Sequence, residues 1–227
     1  LNVTNITNMS YLFSDCKLIK SIEGIKNWNV CNVNNMSYMF KNCIALTSIE
    51  PIRYWFPYKV TNLKNMFSGC TSINSIDPLG NWDIYNVNDI SSMFEGCVSL
   101  SSIKPLANWN IFNINNMSFL FKNCISISSF EYLQDWEVKH VNNMSGIFEN
   151  CTSLKSIDFT KKWNVSNVND MSNLFSGCTS ISSIDPLINW DTSNVNNMKK
   201  MFNNCINLES ISPIEKWNTS NVKDMSL

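Results

Sequence analysis

Apolar side chains recur along this chain of 227 residues with a period of 27. Phenylalanine stands at Phe13, Phe40, Phe67, Phe94, Phe121, Phe148, Phe175 and Phe202. Cysteine follows three residues later in every copy, at Cys16, Cys43, Cys70, Cys97, Cys124, Cys151, Cys178 and Cys205. Tryptophan keeps the same step at Trp28, Trp55, Trp82, Trp109, Trp136, Trp163, Trp190 and Trp217. No insertion or deletion interrupts the register. A strict period in this range is the signature of a solenoid, in which each unit buries its apolar face only against its neighbours. The array divides into copies at 1–27, 28–54, 55–81, 82–108, 109–135, 136–162, 163–189 and 190–216, with a partial ninth over 217–227.

Within one copy the pattern predicts three elements. Met36, Met39, Phe40 and Cys43 lie at i, i+3, i+4 and i+7, which is one face of a short helix. Asn or Asp precedes that run in every copy, from Asn8 and Asn35 to Asp224, and these residue types accept a backbone N–H at a helix start. The position before each cysteine holds Gly, Asn or Asp, the set that a left-handed residue at a helix end selects. One or two helical turns per copy are therefore expected. The following stretch, as in Cys70-Thr71-Ser72-Ile73-Asn74-Ser75-Ile76, reads as a short strand closed by a turn at Pro51, Pro78, Pro105, Pro186 or Pro213. Stacked copies align such strands in parallel, about 4.8 Å apart, giving a rod or arc on the order of 40 Å long. A further extended piece, Asn32-Val33-Asn34 and its equivalents, turns its Val or Ile to the core.

Composition changes this picture little. Hydrophobic content of 44% suits a folded chain and argues against disorder. The formal net charge is −1 and Arg53 is the lone arginine, so the basic stripe of a nucleic-acid binder is missing. No apolar run reaches the roughly 18–20 residues that a membrane span requires. Neither end carries the atypical capping repeat that solenoids use, so a piece of a longer protein is expected, with targeting and anchoring segments outside it.

The combined W-[ND]-x-S-N-V-x-[ND]-M-x-x-M-F-x-x-C-x-x-L-x-S-I pattern resembles the BspA-like leucine-rich repeat of bacterial surface proteins. That repeat is found also in mycoplasma lipoproteins and in surface proteins of some parasitic protozoa. Copy seven, WNVSNVNDMSNLFSGCTSISSIDPLIN, is a close match, and the resemblance runs the length of the chain. It implies a leucine-rich-repeat-type solenoid displayed outside the cell and associated with adhesion. It implies no catalytic residue and no cofactor. Departures are few: copy three opens Trp55-Phe56-Pro57-Tyr58-Lys59, copies five and six carry Tyr132 and Phe159 where Pro is usual, and His140 replaces an Asn.

Several features invite chemistry. One cysteine per copy in a fixed column forms no C-x-x-C pair and has no histidine beside it, which argues against zinc and for a ladder of buried thiols. Cys31 stands apart in a variable column, open to exposure and reaction. The sequons at Asn8, Asn35, Asn116 and Asn143 coincide with the capping column, so a structural role outweighs glycosylation. His140 has no second histidine to complete a catalytic or metal constellation. Glu23, Glu50, Asp77, Glu131, Asp158 and Asp185 share one column, interrupted by Lys104 and Ser212. Such an acidic stripe either binds cations or a basic partner, or is a solvated face. Tyr58, Tyr85 and Phe112 fill one otherwise polar column in consecutive copies, flanked by Phe56. They either form an exposed ladder that anchors a partner or stack on one another to cover the flank.

The expectation is a non-enzymatic, surface-displayed scaffold that binds a protein or glycan, without metal or cofactor. The alternative is a structural spacer or a building block of a larger assembly, such as a virion or a cell-surface layer, with further copies of itself as partners.

Overall fold

Each residue of one copy lies beside its equivalent in the next, because identical pegs stacked in register bury one another best. In the computed structural model, which describes residues 1–226, eight parallel bridges join successive copies, from Asn8 with Asn35 to Asn197 with Asp224. Leu227, the last residue of the partial ninth copy, lies outside the described residues. The chain is a repeat solenoid with a single apolar core running through all copies. Among the described residues no helix is long and apolar enough to cross a membrane.

Two expectations about backbone are corrected. The Met36–Cys43 stretch is not an α-helix but a run of tight turns, and no α-helix occurs among the described residues. Tyr38 and Asn42 have φ of 60° and 58°, and every copy through the eighth repeats this pair of left-handed positions, with Gly in some. The amides of Met39 and Cys43 donate to the carbonyls of Met36 and Phe40, three residues back, closing turns of the kind that needs positive φ at its third residue. The alternate amides leave the copy altogether. Those of Met36, Tyr38, Phe40 and Asn42 donate to the carbonyls of Asn62, Lys64, Met66 and Ser68 at 2.7–3.1 Å. An amide committed to the neighbouring copy cannot close an i→i−4 bond. The helical spacing of Met36, Met39, Phe40 and Cys43 reported the buried face correctly, since all four are fully buried, but not the backbone that makes it.

The expected strand after each cysteine is also absent among the described residues. The parallel alignment exists, one residue pair long, in the Asn/Asp column instead. After the cysteine, side chains span the copies where amides were expected: the hydroxyls of Ser72, Ser126 and Ser180 donate to the carbonyls of Ile44, Val98 and Thr152 at 2.6–2.7 Å. The serine that ends this stretch then accepts the amide two residues ahead, as Ser75 Oγ does from Asp77 at 3.1 Å. The same bond recurs in all eight complete copies, from Ser21 to Ser210. It opens a 3₁₀ turn such as Glu50–Ile52 or Asp77–Leu79, whose second position Pro presets with its fixed φ. Copies five and six put Tyr132 and Phe159 there, and Phe159 is buried edge-on against Phe148, with ring centres 5.4 Å apart. One further 3₁₀ turn, Val138–His140, lies off register.

The core columns hold one another across copies. The phenylalanine rings stack near-parallel at 5.5–6.4 Å from Phe13 to Phe202. Each tryptophan from Trp55 to Trp217 donates its indole N–H to a carbonyl 30 residues earlier, at 3.0–3.4 Å. Each thiol from Cys43 to Cys205 donates to the carbonyl 30 residues earlier, always a phenylalanine, at 3.0–3.3 Å. All nine cysteines are free. These bonds satisfy polar atoms that would otherwise be stranded in apolar surroundings.

Candidate binding surface

The Asn/Asp column that forms the bridges also caps a turn. Its side-chain oxygen accepts the amide two residues on in all nine copies at 2.8–3.1 Å, as in Asn35 to Ser37 and Asp170 to Ser172. The sequon residues Asn8, Asn35, Asn116 and Asn143 are among these, so each has its oxygen engaged in the fold. A second Asn/Asp column lies just after the tryptophan and does the same. There Asp83 accepts the amide of Tyr85 at 3.0 Å and Asn110 that of Phe112 at 3.1 Å. The following asparagine clamps the flank to the preceding copy: Asn86 and Asn113 donate to the carbonyls of Tyr58 and Tyr85 at 2.8 and 2.7 Å. The backbone beneath the aromatic column is therefore held on both sides.

On that held backbone the rings face solvent. Phe56, Tyr58, Tyr85 and Phe112 are 51%, 52%, 48% and 41% exposed, so they do not serve the core. Phe56 stacks on Tyr58 with ring centres 5.8 Å apart, and Phe112 meets His140 edge-on at 4.5 Å. Among the described residues no ring pair joins Tyr58 to Tyr85 or Tyr85 to Phe112, so the column is not one continuous stack. Tyr54, 67% exposed and two residues before Phe56, extends the patch. It stands in a column filled elsewhere by Asn, Asp or Lys, and that break in polarity was the sequence signal for it.

Two shallow depressions bound this aromatic run. One, of about 360 Å³, lies at copies two and three beside Tyr54, Phe56 and Tyr58. The other, of about 450 Å³, lies beside Phe112 at copy six. Both occur where the second capping column lacks its usual Asn or Asp, replaced by Phe56 and Glu137. In copy three Pro57 fills the buried column of Val30 and Ile84 and its carbonyl accepts the Val60 amide at 3.0 Å, the same turn as in those copies. In copy six the chain winds into Val138–His140, and His140 replaces the clamping asparagine. Cys31, half-buried, belongs to the column of Tyr58 one copy earlier and borders the first depression.

The acidic column occupies the first position of the 3₁₀ turns. Two of its members are neutralised within their own turn. Arg53 grips Glu50 with two nitrogens, and Lys161 pairs with Asp158 at 2.6 Å. These hydrogen bonds hold both carboxyls below the usual carboxylate range. Glu23, Asp77, Glu131 and Asp185 share the same placement, spread along the turn edge and not gathered around one point.

Sequence reasoning missed a second exposed aromatic feature, in the left-handed column ahead of the phenylalanines. Tyr11 and Tyr38 stack there at 4.4 Å, with Lys41 over the Tyr38 ring at 5.4 Å. Phe119 lies over Gly146, whose added Cβ would stand 2.4 Å from the ring. Gly146, Asn65 and Asn173 in this column were the available signal of positive φ.

The description "Mycoplasma protein of unknown function, DUF285" matches residues 1–102, 75–183 and 155–227, overlapping spans that together take in the whole chain. The chain belongs to the DUF285 family. No curated protein matches this DUF285 chain. Among solved structures it is similar to internalin C2 of Listeria monocytogenes, at 17% identity and a TM-score of 0.43, over 92% of this chain and 76% of that one. It is similar also to an internalin, inlF, of the same organism, at 14% identity and a TM-score of 0.37, over 92% and 70%. The leucine-rich repeat protein of T. pallidum aligns at 16% identity and a TM-score of 0.37, over 77% and 71%. Likenesses this loose carry no conclusion about function, and the solenoid rests on the bridges and ladders above.

Proposed function

We propose that this DUF285 chain is a non-enzymatic binding scaffold that engages a protein or glycan through its aromatic flank. One observation carries the reading: four large rings, 41–52% exposed, are concentrated in copies three to five, in two neighbouring columns that carry small or polar residues in the other copies. Rigid, amphipathic rings on a held backbone lose little entropy on binding and dominate contact energetics. The core columns repeat because every copy needs the same pegs, so recognition falls to the columns that vary.

The resemblance of the repeat motif to BspA-like surface repeats supports display outside the cell and an adhesive role. Burial of the thiols from Cys43 to Cys205 suits that setting, since thiols kept protonated and out of solvent resist oxidation. The test is capture from host lysate together with a glycan array, comparing the parent with the combined Tyr58→Ser, Tyr85→Ser and Phe112→Ser variant. Loss of the parent's ligands in the variant is the expected result. A variant that binds everything the parent binds removes the flank from consideration and leaves a spacer or assembly role.

A further inference from the structure

The face made by the turn string, residues 37–47 and their equivalents, lies away from the aromatic columns and has a pattern of its own. Its amides bond the next copy, so the face runs unbroken along the solenoid. Residues 42–46 and their equivalents in copies three to eight carry no charge at all. Exposed β-branched side chains line that strip, Ile44 and Ile125 each 43% exposed, and charged residues such as Glu95 and Lys155 rim it. An uncharged strip with a polar rim marks a contact surface. Bulk is distributed unevenly along it. The column before the cysteine holds Asn in copies two, five and six and Gly in copies three, four and seven. Asn42 and Asn150 lean over Gly69 and Gly177, but an added Cβ at Gly96 would meet only the Gly69 backbone, at 3.7 Å. Gly96 is thus an open dent near the middle of the face.

We propose that this face is an isologous interface on which a second copy of the chain packs antiparallel, with the two-fold axis between copies four and five. A second chain keeps step with these rungs, about 4.8 Å apart, over the whole strip. The axis sets copy two against seven, three against six and four against five, so that each column meets itself in reverse. Asn42, Asn123 and Asn150 then face Gly177, Gly96 and Gly69, an amide against a glycine at every level. Phe119 faces Ser92, and Ile125 faces Val98. Glu95, which forms no ion pair among the described residues, faces Lys122. Lys122 pairs with Glu149 of its own chain at 3.1 Å, so Glu95 joins an existing pair. Across positions 37–47 and their equivalents no like charges meet in this register. Moving the axis onto copy four sets Glu95 against itself, and moving it onto copy five does the same to Lys122, which like-charge repulsion disfavours. The aromatic flank lies in other columns and stays free, so the pairing does not depend on the flank reading.

Sedimentation equilibrium of the intact chain over a range of concentrations tests the pairing, and a monomer–dimer equilibrium is expected. Gly96→Asn is the decisive variant. Four other copies hold Asn in this column at φ of 57–61°, so the fold accepts it, and a urea midpoint close to the parent's is expected at dilution. An amide would then face the Asn123 amide of the other chain, twice per dimer, and dimerisation is expected to weaken about tenfold. Asn123→Gly, which leaves glycine facing glycine, is expected to dimerise weakly too. An equimolar mixture of these two variants restores Asn against Gly at both places and is expected to dimerise like the parent. Glu95→Lys, a change at the rim alone, is expected to weaken the dimer most at low salt. A parent that stays monomeric at every concentration overturns the interface. Dimerisation unchanged by both Gly96→Asn and Glu95→Lys places the contact on another surface, and a mixture no better than its separate variants overturns the antiparallel register.

Discussion

At the scale of single residues, the cysteine column shows how a reactive group becomes a packing group. Each thiol from Cys43 to Cys205 donates an S–H hydrogen bond to a main-chain carbonyl of the Phe column, so the neutral form is the one the fold holds there. Cys16, in the first copy, is exposed and lies outside the expected buried ladder. Burial raises Cys43 and Cys205, nearer the two ends, to about 11, and raises Cys97, Cys124 and Cys151 well beyond the ordinary thiol value. In the unfolded chain these groups ionise near the ordinary value of 9.0. Above that pH the unfolded state therefore binds fewer protons than the folded state, and stability falls as pH rises. The contribution is fully present below pH 9 and, for Cys43 and Cys205, is lost between 9 and about 11. Urea midpoints measured at pH 8 and pH 10.5 are expected to show this decline, and Cys97→Ala is expected to make it shallower. A midpoint independent of pH across that window, in the parent, contradicts the buried ladder.

At the scale of elements, the repeating unit is a string of turns whose residue choices are set by positive φ and by what lies one copy away. The column before the cysteine varies between Gly and Asn or Asp accordingly. Asn150 donates to Asn123 Oδ1 at 2.9 Å, and Gly177, with φ of 73°, leaves room for the Asn150 side chain. An added Cβ at Gly177 would stand 2.1 Å from Asn150 Oδ1. Gly177→Ala is therefore expected to destabilise the chain by about 2 kcal/mol, part from the left-handed backbone and part from the clash. Adding Asn150→Gly is expected to restore the part owed to the clash, a coupling that a double-mutant cycle in urea reads directly. Strict additivity of the two changes would mean that the side chains do not meet. The same column was legible in the sequence as left-handed from its Gly, Asn and Asp. Its assignment to a helix end failed because periodicity reports which face is buried, and a turn string buries the same face as a helix.

At the scale of the molecule, every long-range bond links a residue to its equivalent one copy away, or to a position within three residues of it. Stability in such an array is a sum of copies and nearest-neighbour interfaces. Removing residues 163–189 joins Lys162 to Trp190 in register and lets copy six face copy eight. Cooperative unfolding with a denaturant slope smaller by roughly one eighth is the expected result, since that slope follows the surface exposed. Removing half a copy instead puts phenylalanine opposite polar columns, and circular dichroism is expected to show loss of cooperative structure. A half-copy deletion that unfolds as sharply as the parent would show that register is not what holds the array.

The sequence by itself determined the solenoid, its 27-residue register and the identity of the core columns, because stacking identical copies demands identical pegs. It also marked the capping chemistry of the Asn/Asp column and the left-handed set before each cysteine. Only the tertiary structure decided what backbone those residues make. Whether an amide closes a helix or crosses to the next copy depends on a neighbour whose distance in sequence is 27 and in space about one rung. The tertiary structure likewise decided that the rings of Phe56, Tyr58, Tyr85 and Phe112 stay open to solvent, since exposure follows from how copies stack and not from the residues within one.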